Sequence, residues 1–110
     1  GALICNDVRF PQESRSLAKQ GAKVIVYASA FGKKRIHHWK TLLPARAIEN
    51  QCFVVGCNRA GEDDMIFGGE SAVFDPQGRK VAGIRGSKPG LIVAELDFSQ
   101  VDEARKIKVW

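Results

Sequence analysis

An α/β domain with a parallel βαβ beginning and an antiparallel second half is the fold class that these 110 residues predict. Three observations predict it. Two short apolar runs, at residues 2–5 and 24–28, flank one helical stretch, and a strand, a helix and a strand in so few residues form a parallel pair with a right-handed crossover. Two further short strand patterns flank the tetrapeptide DPQG, a proline-and-glycine turn that makes a hairpin. No internal repeat or low-complexity segment interrupts this plan, and a 45% apolar chain of this length has enough core for one domain.

The elements follow in order. Residues 2–5 read as a short buried strand, and Phe10-Pro11 opens a helix, because proline's fixed φ and missing N–H suit a first helical turn. That helix is expected to run to about Gln20. Ser14, Leu17, Ala18 and Gly21 recur at helical spacing and give a small-residue face, with Gly21 suited to the left-handed position that ends it. Residues 24–28, VIVYA, form a second, fully buried strand.

Residues 29–34, SAFGKK, read as loop, and RIHHWKTLLPARAIEN as helical, with Ile36, Trp39, Leu43 and Ala47 on one face. Pro44 should kink or restart that helix, with Thr41 as N-cap of the second piece. Residues 53–55 form a third strand, and residues 58–64 a polar loop. Residues 71–74 and 80–82 are the arms of the hairpin. Residues 91–96, LIVAEL, are predicted as a last strand, and Asp97 or Ser99 caps a short basic C-terminal helix. Helices should cover one face of the sheet. Strands this apolar are buried on both sides, so the other face needs a partner.

Composition narrows the function classes. Seventeen basic against twelve acidic side chains leave a net charge of +5, spread over most of the chain. That balance argues for solubility rather than a polyanion partner, and no nucleic-acid role is expected. No apolar run approaches the ~20 residues of a bilayer span, so no membrane partner is expected either. Three cysteines without framework-like spacing predict free thiols and a cytoplasmic, reducing setting.

The opening GALICNDVRFP places Cys5 at the end of a parallel strand, just before a helix, where α/β proteins usually carry their active sites. Backbone N–H groups at such a turn point outward and suit an oxyanion formed when a thiolate attacks a carbonyl or nitrile carbon. The other reading of Cys5 is a small buried apolar residue, a common role for cysteine.

The remaining candidates read as structural. Cys52 and Cys57 are five apart, fall on opposite faces of a regular strand and cannot share a metal, so core filling is expected of them. His37 and His38 are adjacent on a helix and cannot chelate one ion together. KKRIHHWK is a basic cluster that could contact phosphate or RNA; a solvated helix face with Trp39 turned inward is the preferred reading. Glu62, Asp63 and Asp64 could bind a cation, and a polar loop tip is the default. No metal or cofactor is called for.

Four stretches, CNDVRFPQESRSLAKQGAKVIVYASAF, HWKTLLPARAIENQCFVVGCNRAG, GGESAVFDPQGRKVA and GLIVAELD, together resemble the carbon–nitrogen hydrolase (nitrilase) superfamily over nearly the whole chain. The family's nucleophile motif resembles Cys5-Asn6-Asp7-Val8-Arg9-Phe10-Pro11-Gln12, and its later signature resembles Arg46-Ala47-Ile48-Glu49-Asn50. The resemblance implies a four-layer α-β-β-α sandwich, of which residues 1–110 are roughly the C-terminal half. It implies that Cys5 is the nucleophile that forms a thioester with an amide, carbamoyl or nitrile substrate, and that the backbone N–H of Asn6 is one oxyanion donor. Asn6 stands where the family usually has tyrosine, which alters the pocket wall and leaves a main-chain donor intact. Asp7 and Arg9 match positions that brace the turn. Arg46, Glu49 and Asn50 match a buried network that ties a helix to its neighbours. Ser29, Ala30 and Phe31 match a loop that lines the substrate pocket.

The family's triad is Glu, Lys and Cys, and its glutamate and lysine lie upstream of the cysteine. The chain begins on Gly1 with residues that already read as sheet interior, so it is expected to be a piece of something longer. Alone it should be inactive, because a thiol with no base beside it is mostly protonated at neutral pH. The expected partners are a small amide or nitrile, and either a second copy of the chain or a missing N-terminal half. The family members most similar to this stretch are small-molecule amidases of the omega-amidase and carbamoyl-amidase kind. An alternative function is a catalytically inactive, truncated module that acts in dimerisation or partner binding.

Overall fold

A computed structural model describes residues 1–110. Its five strands are β1 (Ala2–Ile4), β2 (Val24–Ser29), β3 (Phe53–Asn58), β4 (Ala72–Phe74) and β5 (Lys80–Gly83). They lie in one sheet in sequence order, with β1, β2 and β3 parallel and β3, β4 and β5 antiparallel. The three helices are α1 (Pro11–Lys19), α2 (Ile36–Asn50) and α3 (Ser99–Ala104). Single 3-10 turns, Cys5–Arg9 and Lys33–Arg35, lead into α1 and α2. The parallel start and the hairpin second half are therefore as the sequence predicts.

Both parallel crossovers have a helix, and both helices lie on the same face of the sheet. Side chains alternate along each strand, so Ile25, Tyr27 and Val54 point to the helices and are fully buried. They meet Trp39, Leu43 and Ala47 of α2 in one core with Val8, Cys52 and Phe74. Gly56 sits directly beneath α2, and a Cβ there would run into Leu43 and Trp39. The opposite face has no helical cover: Val24, Val26 and Val55 are half-buried, Ala28 and Cys57 are exposed. Phe53 and Val73 are the buried exceptions on that face, Phe53 with Phe98 beside it at 6.4 Å between ring centres.

Pro44 does not break α2, and Thr41 caps nothing: the helix is continuous from Ile36 to Asn50. An interior proline costs about 3 kcal/mol. Here the packed residues on both sides of it, Trp39, Leu43 and Ala47, hold the helix to the sheet. Gln51, at φ 50°, ends it in the left-handed conformation.

Residues 91–96 are not a strand. No element of the sheet pairs with them, and Leu91 and Val93 are 89% and 86% exposed. An apolar run is sufficient for a strand only where a neighbour offers a hydrogen-bonding edge, and no strand of this sheet pairs with this segment. The N-cap of α3 is Phe98 rather than Asp97 or Ser99, and Asp97, one residue earlier, accepts at Oδ1 from the N–H of Ser99 at 2.9 Å.

Polar side chains inside the fold tie the layers together. The Arg46 Nε donates to the carbonyl of Val8 at 2.9 Å, and its guanidinium pairs with Glu49 at 3.0 Å. The Asn50 amide donates to Ser14 of α1 at 3.1 Å and to the Arg46 carbonyl at 2.9 Å. An Arg46→Met variant keeps the hydrocarbon stem and leaves the Val8 carbonyl without its partner. It should lose about 2–4 kcal/mol of stability, read as a lower urea midpoint.

Burial pushes the Cys52 thiol up from 9.0 to about 11 and the Tyr27 phenol up from 10.0 to about 12. The folded protein therefore holds both protons after the unfolded chain has released them. Stability is complete below about pH 9 and falls as pH rises toward 12, by roughly 2–3 kcal/mol for each group. Urea midpoints measured across that range check this, and Cys52→Ala should remove the part of the loss between pH 9 and 11.

Candidate active site

Cys5 is the first residue after β1, and its backbone is unusual. It has φ 45°, in the left-handed region that a residue with a Cβ enters at a cost of about 1–2 kcal/mol. Three contacts hold the chain there. The Asp7 carboxylate accepts from the N–H of Ile4 at 2.9 Å, closing the turn from the strand side. The Phe10 N–H donates to the Asp7 carbonyl at 2.9 Å and closes it from the helix side. Between them Val8 is fully buried, its carbonyl held by Arg46 at 2.9 Å. Asp7 and Arg46 thus meet the turn directly, while Glu49 and Asn50 hold Arg46 and its helix in place.

A cleft of about 340 Å³ opens at this end of the sheet. Cys5, Asn6 and Arg9 form one wall, and Ala30, Phe31 and Gly32, after β2, form another. Cys5 is half-buried, with access to solvent through the cleft. Ser29 ends β2 behind Ala30, with its hydroxyl buried and outside the cleft wall.

Arg9 does more than brace. Its Nε donates to the Asn6 side-chain oxygen at 2.9 Å, its guanidinium lies over the Phe31 ring at 5.1 Å, and a terminal nitrogen donates to His38 Nδ1 at 3.0 Å. The His38 ring titrates below its usual 6.5 because of desolvation, His37 and the cations Arg9 and Arg35. It is therefore neutral at pH 7 and free to accept from Arg9.

Asn58 at the end of β3 positions Phe31. Its side-chain oxygen accepts from the Phe31 N–H at 2.6 Å, and its amide donates to the carbonyls of Phe31 and Gly69 at 3.2 and 2.8 Å. Two backbone bonds, Gly68 N–H to Phe31 and Lys33 N–H to Ile66, at 2.8 and 2.9 Å, fasten the loop after β3 onto the same segment. That loop brings Met65 to the cleft.

The rest of the wall comes from Lys34 and Arg35, which the sequence marks as basic without marking their place. Neither the Asn58 role nor the presence of Met65 has a sequence signal of its own, because both depend on how the loop after β3 folds back. The remaining candidates stand apart. Cys52 is buried and Cys57 exposed, and Trp39 is turned inward with its Nε1 donating to the Glu70 carbonyl at 3.0 Å. No helix of the protein is long and apolar enough to cross a membrane.

Comparison with known proteins bears on the fold and the family. The chain is 44% identical to the 2-oxoglutaramate amidase of Bacillus subtilis, a match over 94% of its residues and 40% of that protein's length. Its fold superposes on the crystal structure of Saccharomyces cerevisiae Nit3, of branch 10 of the nitrilase superfamily, with a TM-score of 0.91 at 36% identity, over 96% of this chain and 40% of that one. It also matches an amidase from Nesterenkonia sp. AN1 in which the acetamide moiety of fluoroacetamide is added covalently at the active-site cysteine. There the TM-score is 0.82 at 32% identity, over 93% of this chain and 39% of that one. The chain thus spans about two fifths of the length of these relatives. The sequence model of the carbon-nitrogen hydrolases matches residues 1–106, so the chain belongs to the carbon-nitrogen hydrolase family.

Proposed function

We propose that this chain is the nucleophile-bearing part of a cysteine amidohydrolase that cleaves a small non-peptide amide, with Cys5 as the attacking group. The observation that carries this reading is the Cys5 turn: a strained φ of 45°, fixed by Asp7 and Arg46, at the mouth of a cleft of ligand size. Strain of this kind in a residue that opens onto a cleft is what covalent catalysis uses to present a nucleophile.

The Cys5 sulfur attacks the carbonyl carbon, and the carbonyl oxygen takes the negative charge. The first N–H groups of a helical turn have no partner within it, so the Asn6 N–H is available to that oxygen. Collapse of the adduct expels the amine with a proton from the general acid and leaves a thioester, which water then hydrolyses. No carboxylate lines the cleft. The general base and the oxyanion-stabilising lysine that the family resemblance calls for are therefore assigned to polypeptide beyond these 110 residues, which form the C-terminal portion of the hydrolase domain. The three free thiols fit a cytoplasmic, reducing setting.

A second reading rests on the uncovered sheet face and the exposed Ile4, Leu91 and Val93. It makes the chain a non-catalytic module that joins a second copy or another partner through that surface.

Cys5→Ala, made in the full-length protein that contains this segment, separates the two. Loss of small-amide hydrolysis by roughly 10³-fold or more, together with an acyl adduct on the Cys5 peptide of quenched wild-type enzyme by mass spectrometry, is the expected result. Full activity in the variant would remove Cys5 from the mechanism.

A further inference from the structure

Three residues with a Cβ hold a left-handed backbone, Cys5, Gln51 and Glu70. The first stands at the turn after β1 and the second ends α2, whereas Glu70, at φ 54°, lies in the GGES stretch just ahead of β4 and outside the cleft wall. Glycine, which occupies both preceding positions, would take that φ without strain. Such strain persists only where the surroundings over-determine it, and every polar group of Glu70 is engaged. Its N–H donates to the carbonyl of Gly86 at 3.1 Å, and its Oε2 accepts from the N–H of the same residue at 3.0 Å. The other carboxylate oxygen stands 3.3 Å from the Lys40 ammonium, with the Glu70 side chain only 11% exposed. Its carbonyl accepts from Trp39 Nε1 at 3.0 Å. One residue thus joins α2 to the turn at Gly86.

Both ends of this junction lead to the cleft. The fully buried Trp39 ring lies 5.7 Å from that of Phe31, which lines the cleft beneath the Arg9 guanidinium. The residue before Glu70 is tied to the same place: the Gly69 carbonyl accepts from the Asn58 amide at 2.8 Å, and Asn58 holds Phe31 at both its N–H and its carbonyl. Past Gly86, the Ser87 hydroxyl accepts from the Gly61 N–H at 3.0 Å and donates to the Phe67 carbonyl, so this turn is fastened to the loop that carries Met65. Resting on the proposal that Cys5 is the nucleophile, we infer that Glu70 is a positioning residue for its reaction. The carboxylate, clamped between Lys40 and Gly86, fixes the backbone that holds Trp39, and through it keeps Phe31 and Met65 in the wall that seats the substrate. A glycine would not do this. Without the carboxylate the Gly86 N–H and the Lys40 ammonium lose their acceptor, and the carbonyl that takes the Trp39 N–H is free to turn.

The test uses the full-length protein and two variants. Glu70→Gly relieves the strain, keeps both backbone groups and removes the carboxylate; Glu70→Gln keeps an acceptor for the Gly86 N–H and loses only the charge that faces Lys40. In Glu70→Gly the kcat/KM for butyramide should fall by about tenfold, mostly through KM, at an unchanged urea midpoint. Glu70→Gln should stay within about threefold of wild type. Modification of Cys5 by iodoacetamide, a small amide, read by mass spectrometry on the Cys5 peptide, should slow in parallel in Glu70→Gly. Modification by methyl methanethiosulfonate, which needs no seat for an amide, should stay within about twofold of wild type. Wild-type KM and wild-type modification rates in Glu70→Gly would overturn the positioning role. So would a loss shared equally by both reagents, or one accompanied by a lower urea midpoint, since either marks a general loosening of the fold. Hydrolysis that survives Cys5→Ala would instead remove the nucleophile reading, and this inference with it.

Discussion

One buried hydrogen bond, from the Arg46 guanidinium to the carbonyl of Val8, sits at the centre of this structure. It joins the middle of α2 to the turn after β1, two pieces of chain that the sequence separates by 38 residues. Without it the turn would be held only by its own local bonds, and short turns with strained residues do not keep one shape unaided. Everything that gives Cys5 its position follows from it. Val8 is drawn into the core, Asp7 reaches back to β1, and the thiol is left at the rim of the sheet. Arg46 is itself kept in place by Glu49 and by the packing of Asn50 against Ser14.

The topology explains why the cleft forms at that rim. The parallel strands β1, β2 and β3 run in the same direction and end on the same edge, so each following segment starts there. The turn after β1 supplies Cys5, the loop after β2 supplies Phe31 and the basic turn, and the loop after β3 returns with Met65. Asn58 then acts as a clasp among the last two, satisfying the buried backbone of Phe31 at both its N–H and its carbonyl. The shape of the cleft is therefore a consequence of backbone hydrogen bonding more than of side-chain packing across it.

How much of this was legible in the sequence depended on whether a residue's position follows from periodicity. Asn6, Ala30 and Phe31 are singled out only by the family resemblance, whereas Cys5 lies just past a strand end, and strand ends can be read from short apolar runs. The βαβ unit and the hairpin were legible for the same reason. Lys34 and Arg35 were visible as a charge cluster, but their direction is set by a 3-10 turn of three residues, too short to have a face that a pattern could reveal. At Pro44 local propensity points to a break because it leaves out the packing of Leu43 and Ala47 against the sheet. At residues 91–96 strand propensity points to a strand because it says nothing of whether an open edge is within reach.

The left-handed backbone at Cys5 has a further consequence for descent. The distortion belongs to the peptide, not to the sulfur, so it would persist in a chain that had exchanged the thiol for any other side chain with a Cβ. Glycine alone would relieve it without disturbing the surrounding bonds. A lineage released from chemistry would gain about 1 kcal/mol by drifting to glycine there, and a cysteine that stays does so against that gradient.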